Sequence, residues 1–134
     1  MESGKEALKR RACEAIERRA EALIGMGETI RHQPELGFKE FKTAALVAKM
    51  FEDIRVPHRT GLAITGVKAE LKGAKPGPAL ALIGELDALV VSGHPLADPA
   101  TGAAHACGHN AQVTAVVGAT MALVDIGAMH HLAG

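Results

Sequence analysis

Apolar positions along the chain change period several times, and each change predicts an element. Leu8, Ala12, Ile16, Leu23 and Ile30 recur at helical spacing with Lys, Arg and Glu between them, which predicts an amphipathic helix running to about Ile30. Ser3 and Glu6 have capping-box spacing and mark its start. Glu6/Arg10 and Glu14/Arg18 stand four residues apart, as favourable helix-surface pairs. The run His32-Gln33-Pro34-Glu35-Leu36-Gly37 breaks the pattern. A second helix follows, with Phe41, Ala44, Ala45, Ala48, Phe51 and Ile54 on its buried face, and it ends near Val56, ahead of Pro57.

The period then drops to two. Val67, Ala69 and Leu71 alternate with Lys68, Glu70 and Lys72, which predicts a half-buried strand. Residues 73–78 form a Gly/Pro turn. Ala79-Leu80-Ala81-Leu82-Ile83 is apolar without alternation, the pattern of a strand covered on both faces. Gly84-Glu85-Leu86-Asp87 leaves that strand. After a loop of small residues from Ser92 to Ala104, the stretch from about Ala106 to Ile126 is apolar nearly all round and predicts a buried helix. Its small residues let it lie close against a sheet. Helices flanking strands in this order predict an α/β layered domain. The elements are too few to cover both a central strand and a buried helix, so the expectation is an incomplete domain.

The 134 residues give room for one modest domain or part of a larger one. Lys+Arg and Asp+Glu balance at 15 each, which argues against a nucleic-acid or anionic-membrane surface. Three Phe with no Tyr or Trp leave few platforms for base stacking. No apolar run approaches the roughly 18 residues of a membrane span. The first residues are charged throughout and lack the apolar region of a signal peptide, so a cytoplasmic protein is expected. Cys13 and Cys107 are then expected as free thiols or metal ligands rather than a disulfide. Cys13 reads as a small, half-buried filler.

The chemistry concentrates in His105-Ala106-Cys107-Gly108-His109-Asn110. A thiol stands between two imidazoles at the entrance to the last helix, where a helix N-terminus favours thiolate. Thiolate and imidazole are ligands for zinc or a similar transition metal. The same residues admit two other readings: a structural Cys beside surface histidines, or a Cys nucleophile with a His base. Asp87 follows the apolar strand, where ligands collect in open α/β sheets, and Glu85 precedes it by two.

Three segments in order, His32 to Glu40, Glu85-Leu86-Asp87-Ala88-Leu89 and His105 to Asn110, resemble motifs of one family. It is the zinc-dependent aminoacylase and carboxypeptidase family (peptidase family M-twenty), in its amidohydrolase branch. That branch includes N-acyl-amino-acid amidohydrolases, auxin-conjugate hydrolases and aminobenzoyl-glutamate hydrolases. The resemblance covers about residues 20 to 134. It implies a three-layer α/β sandwich with a mixed sheet, the phosphorylase/hydrolase-like zinc-peptidase catalytic domain. Residues 1–134 match its N-terminal portion, without the lid domain and the C-terminal half.

The resemblance also implies roles. Cys107 matches the metal-bridging cysteine, and His109 matches a ligand of one metal. Asp87 matches an acid that supports the metal site by orienting a ligand. The His32–Pro34–Glu35 turn matches a segment read as structural, and His105 is either a support to the ligands or a loop histidine. Two divalent metals per complete site are implied (zinc, or manganese, cobalt or nickel), as is hydrolysis of an N-acyl or N-aroyl amino acid or small peptide by metal-activated water. A homodimer of the full-length protein is also implied. Asn110 and Gln112 depart from the branch, standing where Asp and a second His often occur. The general-base Glu and further ligands of the family lie beyond the matching segment. A non-catalytic relative acting as a binding module, or a small thiol enzyme using Cys107, remain as alternatives.

Overall fold

The computed structural model describes residues 4–134. Four α-helices carry most of the core: α1 (Gly4–Arg18), α2 (Ala20–His32), α3 (Phe41–Asp53) and α4 (His109–Asp125). Between α3 and α4 run an antiparallel pair, β1 (His58–Leu62) and β2 (Gly66–Ala69), and a shorter antiparallel ladder, β3 (Leu89–Val90) with β4 (Ala103–Ala104). A 3-10 turn, Ala128–His130, follows α4. Single parallel bridges join Leu36 to Ala88 and Lys75 to Ala133.

The expected first helix is two helices, broken at Arg19. Around an ideal helix the eight residues from Ala15 to Leu23 carry the apolar stripe about 80° out of line. A tight bond from the Arg19 amide to the Ile16 carbonyl (3.0 Å) interrupts the first helix. Both helices then face α4. Arg19 holds the break by a fork of bonds to Asp125, 2.6 and 2.7 Å long. Arg11 donates to the Ile126 carbonyl at 2.8 Å, a cation placed at the negative end of α4. Glu14 pairs back to Arg10 at 3.7 Å. The capping role of Ser3 lies outside the described residues.

α1 buries Ala15 against Ala122, Ile126 and Ala128. Ile16 and Cys13, expected inside or half-buried, are exposed. They stand about 100° and 160° round the helix from Ala15, away from α4. The main core joins Leu23, Met26 and Ile30 of α2, Val47 and Phe51 of α3, and Val113, Val117 and Met121 of α4. Each such side chain contributes roughly 1.5–3 kcal/mol on burial. Gly118 admits Leu23 to this core, because a Cβ there would stand 3.0 Å from Leu23 Cδ1.

The α3 face is rotated from the expected one: Thr43, Val47 and Phe51 are buried and Phe41 is 60% exposed. The cause is Glu35. Its carboxylate accepts from the amides of Lys42 (3.0 Å) and Thr43 (2.9 Å) and from the Thr43 hydroxyl (3.0 Å), which turns Thr43 inward. The His32–Gly37 turn is therefore the cap of α3. Strand β2 keeps the expected alternation of half-buried Val67 and Ala69 about exposed Lys68. Its partner β1 is polar and exposed, with no periodic signal to announce it.

The largest correction concerns Ala79–Ile83. It forms no strand, and Leu80 is 92% and Ile83 79% exposed. Among the described residues no strand pairs with it and no helix covers either face. Its two flanks dock, Gly77 and Pro78 against Ala133 and Gly134, and Gly84 against Val113 and Val116 of α4. α4 itself begins at His109 rather than Ala106, because Gly108 takes a left-handed backbone (φ 92°, ψ 13°) that a helix cannot pass through. No helix is long and apolar enough to cross a membrane among the described residues.

Candidate metal centre

The segment leaving Ile83 and the start of α4 meet at one imidazole. His109 is the first residue of α4, and its side chain is only 13% exposed. Its Nδ1 stands 2.9 Å from the Asp87 carbonyl oxygen and 3.1 Å from Asp87 Oδ1. A carbonyl only accepts, so Nδ1 carries the proton and donates. That fixes the ring and leaves Nε2 as the nitrogen able to coordinate. Nε2 faces Glu85 Oε2 at 3.0 Å.

The local chain explains this meeting. Glu85 and Asp87, two residues apart in the segment that leaves Ile83, reach the two nitrogens of the same ring. The Glu85 amide donates to Gln112 Oε1 at 2.7 Å, tying that segment to the first turn of α4. Ala88 is tied on the other side, its amide donating to the Glu35 carbonyl at 2.7 Å. Asn110 donates to the Gly27 carbonyl at 3.3 Å. The two departures from the family motif, Asn110 and Gln112, thus act as struts between α4 and its neighbours. The Gln112 strut has no signature in the sequence.

Cys107 is an exposed free thiol just before Gly108, and Cys13 is likewise free. Neither imidazole of the motif is a base for Cys107: His109 is committed to Asp87 and Glu85, and His105 has no hydrogen-bond partner. The arrangement therefore does not form the Cys–His nucleophile pair. His105 places both ring nitrogens out of solvent without a partner. Burial pushes its pKa down and the neighbouring His109 adds to this, against the pull of Asp87 and Glu35, so its neutral form is favoured.

A ring-fixed imidazole, an exposed thiol and a carboxylate are the donor types that a divalent transition cation accepts. Among the described residues no three His, Cys, Asp or Glu side chains converge into one cage. The donor chemistry of these residues is of the kind such a cation accepts.

Comparisons with known proteins place the chain among relatives. No family model matches the chain. The candidate amidohydrolase YhaA of Bacillus subtilis is 41% identical over 98 residues, covering 69% of this chain and 25% of its own length. The N-acetyl-L-cysteine deacetylase of Bacillus subtilis is 36% identical over 106 residues, covering 77% of this chain and 26% of its own length. Among solved structures, the Bacillus subtilis YXEP protein, described as a dinuclear metal binding peptidase from the M20 family, superposes with a TM-score of 0.70 at 31% identity. The match covers 84% of this chain and 32% of that one. The α/β fold expected from the sequence is the fold of that peptidase segment. By sequence and by fold, the chain belongs to the M-twenty (M20) peptidase family, in its amidohydrolase branch, and spans about a quarter to a third of the length of these relatives.

Proposed function

We propose that residues 1–134 are the N-terminal portion of a metal-dependent amidohydrolase catalytic domain. Its substrates are N-acyl or N-aroyl amino acids, aminobenzoyl-glutamate among them, or small peptides. The observation that carries this reading is His109, fixed at Nδ1 by Asp87 so that Nε2 is left to coordinate. His109 and Cys107 are the residues that would hold the metal. Zinc is the proposed ion, with manganese, cobalt or nickel as substitutes. A divalent ion held there supplies Lewis acidity toward the scissile carbonyl and acidifies water.

The rest of the work belongs to the side chains. Asp87 is a positioning residue that keeps the His109 ring oriented and its basicity high. Gly108 has a left-handed backbone with open space about its α-carbon, so Cys107 and His109 are carried on a bend that side chains disfavour. The general base and the remaining ligands come from chain outside these residues. The two free cysteines support a reducing, cytoplasmic setting. The full-length protein is proposed as a homodimer.

Equilibrium dialysis against zinc tests the reading. The chain is expected to retain zinc, to lose it to a chelator, and to bind it at least about tenfold more weakly as Cys107→Ser or His109→Ala. Zinc retention that neither substitution alters would overturn it.

A further inference from the structure

We infer that Glu85 is itself a metal ligand of this site, sharing one cation with His109. The inference rests on the metal reading above and extends it to a residue that the reading leaves unused.

Three observations carry it. The first is spacing. Two donors held about 2.0–2.1 Å from one tetrahedral ion stand roughly 3.3 Å apart. Glu85 Oε2 and His109 Nε2 are 3.0 Å apart, close to the bite of a single ion. The second is the donor pair. An imidazole nitrogen and a carboxylate oxygen face each other across that gap, two donor types that a divalent transition cation accepts, while Asp87 holds the ring from its other nitrogen. The third is placement. The Glu85 side chain is 61% exposed, open to an ion arriving from solution, while its backbone is anchored to α4 by the Gln112 side chain. Glu85 is thereby held over the ring and not left to swing free. Gln112, at a position where the family motif often has His, acts as the positioning residue for this ligand.

Cobalt(II) titration of the full 134-residue chain separates the two claims, because the visible absorption of bound cobalt reports both affinity and geometry. Wild-type chain is expected to develop a saturable band of low-coordinate cobalt. Glu85→Gln keeps shape and removes charge. It is expected to weaken cobalt binding at least about tenfold and to alter the band, with zinc competition giving the same order. Gln112→Leu is expected to cause a smaller loss that disappears in the Glu85→Gln background, because the two act through one ligand. Melting curves check that both variants remain folded. If Glu85 merely bridges a proton to His109, its removal frees Nε2. Cobalt binding by Glu85→Gln as tight as wild type, or tighter, therefore overturns the role of Glu85 and leaves the metal reading intact. A wild-type chain with no cobalt band overturns the metal reading, and the role of Glu85 with it.

Discussion

Helix α4 and the segment Ala79–Ile83 are both apolar runs without strong period, and the sequence pattern predicts burial for both. They end in opposite environments. In α4, Val113, Val117 and Met121 are almost completely buried under α2 and α3. In the segment, Leu80, Leu82 and Ile83 stand open to solvent. Composition sets how much a run gains from burial, and the presence of partners decides whether it gets there. α4 has helices α1, α2 and α3 against it, and Gly118 lets Leu23 approach closely. The segment has no pairing strand among the described residues. Where the two regions touch, at Gly84 and through Gln112, the candidate metal centre forms.

The comparison breaks most visibly in the core. Met121→Ala is expected to cost about 2–5 kcal/mol, while Leu80→Ala and Ile83→Ala stay within about 0.5 kcal/mol of wild type. Urea melts measure this, and a Leu80→Ala loss as large as that of Met121→Ala would mean the segment is covered in solution. An intermediate effect is expected at the junction. Gly108 has φ 92° and no atoms within 4 Å of an added Cβ, so Gly108→Ala meets backbone strain without a clash. It is expected to cost about 1–2 kcal/mol. Hydrogen exchange should speed up at the amides of Ala111 and Gln112, which bond to the Gly108 carbonyl.

The smallest effect belongs to the far end of α4. The Arg19 guanidinium, hydrogen-bonded to Asp125, holds that carboxyl below the usual carboxylate range. Asp125 is therefore ionised more readily folded than unfolded. Its contribution is present above about pH 4 and is lost as pH falls through the lowered folded value. Both partners are partly exposed, so Asp125→Asn is expected to cost about 0.5–1 kcal/mol near neutral pH. Wild-type and variant acid melts should converge in that window, and a gap that persists into strong acid would assign the effect to packing.

Much of the chain was readable before any coordinates. The helical spacing of Leu23 and Ile30, the turn at Pro34, the alternation at Val67 to Lys72 and the closing apolar helix all lie near their expected places. The motif residues Asp87 and His109 do meet. The misses were decided by specific contacts rather than by period. The break at Arg19 goes with Asp125 and the exposure of Cys13 with the packing of Ala15 on Ala122, Ile126 and Ala128, both far along the chain, while the rotation of α3 goes with the nearby Glu35 carboxylate.

By itself the sequence determined the donor types, their order along the chain and the tight bend that glycine permits at Gly108. Local propensity and period act over a few residues, and these features need no more. Tertiary structure decided which imidazole nitrogen is tied to Asp87, that Gln112 ties the Glu85 segment to α4, and that Ala79–Ile83 lies open while α4 is buried. Those outcomes depend on which groups arrive opposite one another, and hydrogen bonds and burial act only between groups that meet.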